Sequence, residues 1–282
     1  MAEPSLHHVT CASPLGLHKI AYTQWGDPDA PVLLCVHGLT RNGRDFDPLA
    51  RHLSDRYRVI CPDMLGRGRS DFARDPVLYS VPQYLADCVT LIARLDVEEL
   101  TWLGTSMGGI IGMILASMPG NALNRLIIND IGPVLGQVGL DRIASYIGDD
   151  PSFSSFEEGE GNLRGRMGEF GVHTDQQFRF LSQHYVVQRD GRWTFHYDPA
   201  IAVAFKAAAA APAADLWPVY DAIRCPVRVL RGQTSAILSA ETAAAMQQRG
   251  PRARIVEIPG VGHAPTLISD QQIAHVETFL ND

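Results

Sequence analysis

The sequence predicts an α/β fold in which helices cover both faces of a doubly wound, mostly parallel sheet. Short apolar segments recur along the chain, and segments with the hydrophobic spacing of helices lie between them. Repeated strand–helix units of this kind fold with right-handed crossovers into one sheet. The chain has 282 residues, of which 46% are hydrophobic, so it can form one large core or two small ones.

Six short apolar runs predict the strands of this sheet. Residues 31–36, with the sequence PVLLCV, carry no polar side chain, which is typical of a strand buried on both faces. The other runs are residues 58–61, 100–103, 125–128, 225–230 and 253–258. Apolar residues at helical spacing predict helices over residues 84–95, 110–118, 240–248 and 271–280.

The alternation of strands and helices stops between residues 133 and 220. This stretch contains Asp-Asp-Pro at 149–151, a segment rich in serine and glutamate, and then mixed helical patterns. A structureless loop of this length is rare in a compact domain. We therefore expect an inserted helical cap over residues 133–220, with residues 1–132 and 221–282 forming the core domain.

The composition argues against several classes of function. The 24 basic and 31 acidic residues give a net charge of −7, so we expect no nucleic-acid partner and no membrane partner. We find no signal-peptide pattern and no apolar stretch long enough to span a bilayer. The five cysteines lack a CxxC spacing and are interpreted as buried free thiols of a cytoplasmic protein. No metal-binding motif or dinucleotide fingerprint is visible, so we expect no metal and no cofactor.

The segment LGTSMGG at 103–109 follows an apolar strand and precedes an apolar helix. A G-x-S-x-G nucleophile turn requires this context, because the serine must project from a tight, strained turn at the edge of the sheet. Ser106 is therefore the candidate nucleophile. The backbone N–H of Met107, at the helix N-terminus, is a candidate donor to an oxyanion.

Two further motifs follow strand ends on the same side of the sheet. The segment HGL at 37–39 follows the first apolar run, and the Leu39 N–H is the second candidate oxyanion donor. His37 itself is interpreted as a structural hydrogen-bonding residue. The segment GVGH at 260–263 follows the last strand, which makes His263 the candidate general base.

Together these motifs resemble those of the α/β-hydrolase superfamily of serine hydrolases. The matching segments are HGL at 37–39, DMLGRGRS at 63–70, GTSMGG at 104–109 and GVGH at 260–263. They occur in the order and at the spacings of that family, and the resemblance covers residues 20–280 apart from the cap. It implies an eight-stranded, mostly parallel sheet and a triad of serine, acid and histidine, with 63–70 as a structural signature.

The triad acid departs from a common pattern of the family. In many relatives it lies just after the penultimate strand, but the corresponding segment, RGQTSAIL at 231–238, has Ala236 in that position. Some members of the superfamily carry the acid at the neighbouring strand end, where this chain has Asp130. Asp130 is therefore the candidate acid, with a turn or helix-cap role as its structural alternative. In the competing interpretation, an acid at position 236 has been lost and the enzyme is impaired.

The expected reaction is hydrolysis of a small ester, lactone or amide through an acyl-enzyme intermediate. A serine in place of an aspartate at the nucleophile position argues against dehalogenase or epoxide hydrolase chemistry. Two alternatives stay open. One is a C–C bond hydrolase that acts on a vinylogous diketone, and the other is a non-catalytic receptor built on the same fold.

The expected substrate is a small molecule, and one resemblance within the superfamily implies that it carries a carboxylate. The position of Asp130, the segment HGLTRNG at 37–43 and the arginines of the cap are similar to those of 2-(acetamidomethylene)succinate hydrolases, whose cap arginines bind carboxylates. Arg142 and either Arg164 or Arg166 are the corresponding candidates here, because a guanidinium matches a carboxylate in geometry and charge. The alternative is that these arginines are solvated cap residues.

Aromatic side chains supply the remaining candidates for substrate binding. Trp217, together with Phe170 and Tyr185, is a candidate wall of an apolar pocket. Packing in the core is the alternative interpretation for all three residues.

Overall fold

The computed structural model describes residues 3–168, 170–171, 174–211 and 214–282. Within these residues the strands are β1 (Ser5–Ser13), β2 (Gly16–Trp25), β3 (Val32–Val36), β4 (Arg58–Pro62), β5 (Leu100–Thr105), β6 (Leu123–Asn129), β7 (Val186–Arg189), β8 (Arg192–Phe195), β9 (Val227–Gly232) and β10 (Arg254–Ile258). The α-helices are α1 (Asp47–Leu53), α2 (Val81–Leu95), α3 (Met107–Ser117), α4 (Gln137–Tyr146), α5 (Phe156–Met167), α6 (Asp175–Gln183), α7 (Ile201–Ala210), α8 (Trp217–Ala222), α9 (Ala240–Met246) and α10 (Asp270–Asn281).

Most of the strands belong to one sheet with the order β1-β2-β4-β3-β5-β6-β9-β10. The strands from β4 to β10 in this order pair in parallel, whereas β2 pairs antiparallel with both β1 and β4. The arrangement confirms the expected eight-stranded, mostly parallel sheet. The strands that the apolar runs predict are the parallel ones.

The hydrophobic pattern does not predict the hairpin of β1 and β2. Most residues of β1 are exposed or half-buried, so the strand does not form a continuous apolar run. Gly16, with a φ of +116°, lies where the chain reverses between the two strands. His18 of β2 forms a hydrogen bond of 2.9 Å with Asp87 of α2, which fixes the hairpin to that helix.

Apolar cores lie on both faces of the sheet, and the buried strand β3 contributes to each. Val32, Leu34 and Val36 join the core that α2, α3 and α8 cover. Leu33 and Cys35 join the core that α1 and α10 cover. This alternation explains why β3 has the continuous apolar run of a doubly covered strand. The covering helices are short, and none in the described part of the chain has the length and apolar character needed to cross a bilayer.

The residues between β6 and α8 form a layer over the carboxyl ends of the central strands. The layer contains α4 to α7 and the antiparallel pair β7–β8, so the expected helical cap also includes a hairpin. The chain leaves the core at Pro133 and returns at Leu216, whose N–H donates to the Pro133 carbonyl at 3.1 Å. Asn42, in the loop after β3, donates through Nδ2 to the His184 carbonyl of this layer at 2.8 Å. The layer therefore lies above the loops that carry the predicted site residues.

Candidate active site

The turn between β5 and α3 places Ser106 at the carboxyl edge of the sheet. Its backbone is strained, with a φ of +50° and a ψ of −112°, and its N–H donates to the Asn129 carbonyl at 2.9 Å. A Cβ atom on Gly104 would lie 2.2 Å from the Gly108 carbonyl oxygen, and one on Gly108 would lie 2.1 Å from that of Val36. The turn therefore requires glycine on both sides of the serine.

Ser106, His263 and Asp130 form a continuous hydrogen-bonded chain. His263 Nε2 lies 2.8 Å from Ser106 Oγ, and His263 Nδ1 lies 2.8 Å from Asp130 Oδ2. Because the Asp130 carboxylate accepts from Nδ1–H, Nε2 is left to accept the proton of the Ser106 hydroxyl. The structure thus brings together three residues that are distant in the sequence, in the arrangement of a nucleophile, a base and an orienting acid.

Two neighbouring strand ends hold Asp130 in place. Asp130 directly follows β6, is fully buried and has a φ of +58°. Its N–H donates to the Leu230 carbonyl at 2.8 Å, and its Oδ1 accepts from the Gly232 N–H at 2.8 Å. One carboxylate oxygen is therefore held by β9 while the other faces His263, which fixes the orientation of the carboxylate.

Ala236 lies near His263 but offers it no acceptor. Both residues line a small cavity of about 30 Å³. The Ala236 carbonyl is in close contact with the start of α4, where a Cβ atom on Gly136 would lie 2.1 Å from it. Since Asp130 already bonds to Nδ1, no carboxylate from this segment is needed to complete the hydrogen-bonded chain. The geometry supports Asp130 over a lost acid at position 236.

The two candidate oxyanion donors lie on segments that approach Ser106. Met107 follows the serine directly and begins α3. Gly38 comes so near that a Cβ atom on it would lie 3.6 Å from Ser106 Cβ, and Leu39 is the next residue. Across the described ranges, neither the Leu39 N–H nor the Met107 N–H donates a hydrogen bond within the protein. Both amides are therefore available to an oxygen atom bound at the serine.

His37 stabilises the loop that carries Leu39. Its Nε2 accepts from the Met64 N–H at 2.9 Å, so its Nδ1 carries the proton and donates to the Gly38 carbonyl at 2.6 Å. Burial lowers the pKa of His37 to about 3, and the ring is therefore neutral at neutral pH. These bonds place His37 in the structural role expected from the sequence.

A cavity of about 100 Å³ opens at Ser106 and His263. Its walls come from both the core and the layer above it, and they are mainly apolar. The large apolar side chains that line it are Leu39, Phe46, Ile143, Tyr146, Leu163, Met167, Phe170, Leu181 and Tyr185. Arg41, Asp45 and Arg166 are the charged residues of the wall besides the histidines. An apolar cavity with few polar groups is typical of a site for a small organic substrate.

The substrate-binding candidates occupy three different positions. Arg166 lines the cavity at the serine, and its guanidinium bonds to Asp149 at 2.9 Å. Arg142 lines the adjoining small cavity, which Arg166 also borders. Trp217 lines neither cavity, because it begins α8 and packs beneath the guanidinium of Arg249, 4.1 Å from the ring centroid. A role of Trp217 in substrate binding stays a prediction, and the residue lies outside both of these cavities.

Arg41 is a cavity residue that the motifs do not single out. Its Nε donates to Asp45 Oδ2 at 2.8 Å, and its guanidinium lies over the Tyr185 ring at 4.5 Å from the centroid. Nη1 lies 3.5 Å from Met167 Sδ, so the side chain also contacts the upper layer. In the sequence, its position four residues after His37, on the loop that follows a central strand, is the feature that could have identified Arg41 as a site residue.

One group of potential metal ligands lies outside this cavity. Ligand atoms of Cys11, His18 and Asp87 are within 4.8 Å of one another. His18 and Asp87 form a hydrogen bond with each other, and the group links the hairpin of β1 and β2 to α2. None of these residues lines the cavity at the serine. The hydrogen-bonded chain of the candidate active site contains no comparable set of metal ligands within the described residues.

Two proteins of named activity are similar to this chain over most of their length. A 3-hydroxybutyrate-oligomer hydrolase from Cupriavidus necator is 48% identical, over 99% of this chain and 98% of the relative. A 2-(acetamidomethylene)succinate hydrolase from Mesorhizobium japonicum is 26% identical, over 86% of this chain and 84% of the relative.

A solved structure is similar to this chain in both fold and sequence. The crystal structure of an alpha/beta hydrolase from Novosphingobium aromaticivorans superposes with a TM-score of 0.89 and 38% identity, covering 100% of this chain and 99% of the other. The model of the alpha/beta hydrolase family matches residues 33–275. This span includes the nucleophile turn, the strand end at Asp130 and the loop of His263. The chain belongs to the alpha/beta hydrolase family.

Proposed function

We propose that this chain is a serine esterase that hydrolyses short oligomers of 3-hydroxybutyrate. The proposal rests on the hydrogen-bonded chain of Ser106, His263 and Asp130, with 2.8 Å at each contact, at the mouth of a mainly apolar cavity. The 48% identical relative, which matches nearly the whole chain, is a hydrolase of such oligomers. The linkages between the units of these oligomers are esters, the class of bond that a serine nucleophile of this kind cleaves.

In the acylation step, Ser106 Oγ attacks the carbonyl carbon of the ester. His263 Nε2 accepts the hydroxyl proton, and Asp130 stabilises the imidazolium and holds it in position. The carbonyl oxygen becomes an oxyanion that accepts hydrogen bonds from the N–H groups of Leu39 and Met107. When the tetrahedral intermediate collapses, His263 returns the proton to the departing alkoxide, and the shortened alcohol leaves.

In the deacylation step, a water molecule replaces the alcohol. His263 removes a proton from the water as its oxygen attacks the acyl carbon, and the same two amides stabilise the second oxyanion. Collapse of this intermediate breaks the bond to Ser106 Oγ, which regains its proton from His263. The products are a carboxylic acid and the free enzyme, so no cofactor enters the cycle.

The cavity suits a short aliphatic hydroxyacyl group together with a leaving alcohol that carries a carboxylate. An oligomer of 3-hydroxybutyrate carries one free carboxylate, and Arg166 supplies a guanidinium on the cavity wall. The apolar side chains around it suit the methyl and methylene groups of the hydroxybutyryl unit. We propose Arg166 as the residue that binds the substrate carboxylate, with Arg142 as a second cation in the adjoining cavity.

We further propose that residues 133–220 act as a cap on a core formed by residues 1–132 and 221–282. The cap contributes cavity residues such as Ile143, Leu163 and Arg166, and thereby limits the size of the acyl group. We propose that the enzyme works in the cytoplasm. Its five unpaired cysteines, most of them buried, are consistent with a reducing compartment.

The proposal is tested by incubating the purified protein with the linear dimer and trimer of 3-hydroxybutyrate and measuring release of the monomer by chromatography. The wild-type protein is expected to release monomer, and Ser106→Ala is expected to lower kcat at least ~10³-fold. p-Nitrophenyl acetate serves as a general ester substrate. A wild-type protein that turns over neither ester would contradict the proposal and favour a non-catalytic role of the fold.

Two comparison substrates separate this proposal from the alternatives. A ring-fission dienoate tests C–C bond hydrolysis, and 2-(acetamidomethylene)succinate tests enamide cleavage. We expect kcat/KM for either compound to be at least tenfold below that for the 3-hydroxybutyrate dimer. A higher kcat/KM for one of them would assign the enzyme to that reaction instead.

A further inference from the structure

Arg67 is a cation buried next to the candidate active site. It lies in the DMLGRGRS segment, for which the proposed mechanism has no role, and its side chain has no exposed surface. Among the ion pairs of the described residues, none involves Arg67. Its Nη1 donates to the Leu65 carbonyl at 2.6 Å and to the Tyr84 hydroxyl at 2.7 Å. Burying a guanidinium among neutral groups costs solvation free energy, which indicates a role beyond filling space.

The guanidinium contacts both residues that carry the candidate oxyanion donors. Arg67 Nε donates to the Leu39 carbonyl at 2.7 Å, and Nη2 lies 3.7 Å from Met107 Sδ. The Leu39 carbonyl belongs to the peptide group that follows the Leu39 N–H. A bond that fixes this carbonyl therefore restricts rotation of the backbone on one side of the donor.

The backbone of the Arg67 segment is itself held by the upper layer. The Gly68 N–H donates to the His196 carbonyl at 3.1 Å, and the Asp198 N–H donates to the Gly66 carbonyl at 2.8 Å. Gly66 and Gly68 both have positive φ values, of +84° and +54°. With its backbone fixed at both flanks, Arg67 can hold the Leu39 loop against a rigid support.

We propose that Arg67 is a positioning residue for the oxyanion hole. Its Nε holds the Leu39 carbonyl and so restricts the backbone rotation at Leu39 that would turn the Leu39 N–H away from the reacting carbonyl oxygen. Its positive charge, in surroundings of low dielectric constant, adds to the electrostatic stabilisation of the oxyanion. This inference rests on the proposed serine esterase function.

The experiment replaces Arg67 with Met, which keeps bulk in the core but removes the charge and the hydrogen bonds. We expect kcat to fall about 10²-fold, the effect of losing one oxyanion donor, with KM changed less than threefold. Affinity for a trifluoromethyl ketone is expected to fall by the same factor as kcat/KM, because this inhibitor forms a tetrahedral adduct with the serine. A loss of stability alone would not produce this parallel change.

Arg58→Met is the matched control. Arg58 lies in β4, and like Arg67 it donates to a backbone carbonyl, that of Leu95 at 3.3 Å. Its loss is expected to lower the melting temperature while kcat and inhibitor affinity stay within threefold of wild type. If folded Arg67→Met protein behaves in the same way, Arg67 has only a structural role and the proposal is wrong.

Arg67→Lys decides the question if the Met variant does not fold. Lysine keeps the charge but lacks the planar fork that reaches the Leu39 and Leu65 carbonyls together. We expect kcat to fall at least tenfold, and wild-type kcat in this variant would overturn the proposal. The Ser106→Ala control separates the two levels of inference. If the wild type is inactive, or if Ser106→Ala keeps its activity, the proposed esterase function is wrong. If the wild type is active and Ser106→Ala is not, the Arg67 variants test only the role of Arg67.

Discussion

At the scale of single residues, the orienting acid is the most informative position. Replacing Asp130 with Asn keeps the shape of the side chain but removes the charge that stabilises the imidazolium. It also favours the wrong tautomer of His263, because an amide N–H can donate to Nδ1. We expect kcat for ester hydrolysis to fall about 10⁴-fold, by analogy with the loss of a triad acid in other serine hydrolases. Steady-state kinetics with the 3-hydroxybutyrate dimer and p-nitrophenyl acetate would measure the change.

Ala236→Asp is the companion variant for this prediction. The structure already provides an acceptor for His263 Nδ1, so a second carboxylate beside it is expected to leave kcat unchanged or lower. A large gain in the Ala236→Asp protein, together with full activity of Asp130→Asn, would show that the acid belongs at position 236. The combined Asp130→Asn, Ala236→Asp protein tests whether a carboxylate at 236 can substitute for Asp130.

Arg166 gives a prediction about substrate choice. Arg166→Met removes the guanidinium from the cavity wall, so KM for the free-acid dimer is expected to rise about tenfold or more. The methyl ester of the same dimer has no carboxylate, and its KM is expected to change less than threefold. Arg164→Met is the matched control from the same helix, because Arg164 pairs with Glu160 and Asp175 and does not line the cavity. Equal effects on acid and methyl ester would argue against carboxylate binding by Arg166.

At the scale of the elements, the strand–turn–helix unit around Ser106 depends on backbone contact. Gly104→Ala would place a Cβ atom 2.2 Å from a backbone carbonyl oxygen, which cannot move without displacing α3. We expect the free energy of unfolding to fall by ~2 kcal/mol or more and kcat to fall with it. Gly161→Ala is the control, since a Cβ atom there meets no atom within 4 Å. The free energy of unfolding of Gly161→Ala, a variant in helix α5, is expected to rise by up to ~1 kcal/mol, as measured by urea unfolding.

The elements also show which features a hydrophobic pattern can predict. The central parallel strands are largely buried on both faces, as β3 illustrates, so they appear in the sequence as apolar runs. The hairpin β7–β8 lies in the upper layer, and its short strands mix buried residues with half-buried ones and, in β7, one exposed residue. A mixed pattern over four residues does not distinguish a strand from a helix or a loop. The sequence pattern therefore predicts only helices over residues 133–220 and misses the hairpin within them.

At the scale of the whole molecule, the predicted serine, histidine and aspartate meet because each follows the carboxyl end of a parallel strand. Topology places these strand ends at one edge of the sheet, which is why their positions in the sequence, together with the family resemblance, made them candidates. Arg41 and Arg67 contact the site through long side chains, and Arg67 reaches it from a loop assigned only a structural role. Which way such a side chain points depends on packing between separate segments. The sequence pattern contains no signal for that packing.

At the scale of the whole molecule, acid is expected to weaken the stabilisation that comes from three histidines held neutral by the fold, one of them buried and two half-buried. Burial lowers the pKa of His37 to about 3 and that of His184 to about 4, and it also lowers the pKa of His196. A histidine whose folded pKa lies below its unfolded value of ~6.5 stabilises the protein above that pH. This contribution is lost as the pH falls toward the folded pKa. The part of the free energy of unfolding that these histidines contribute is therefore expected to decrease from pH 7 to pH 5, whereas burial of Asp63, which raises its pKa to about 6, acts in the opposite direction.

His37→Gln isolates the largest of these contributions. Glutamine offers an oxygen acceptor to the Met64 N–H but does not take up a proton in this range. Between pH 7 and pH 5, the wild type is expected to lose ~2 kcal/mol more stability than the variant, as measured by urea unfolding at each pH. The comparison uses the change with pH within each protein, so a lower overall stability of His37→Gln does not affect it. Equal losses in the two proteins would mean that His37 is not held neutral by the fold.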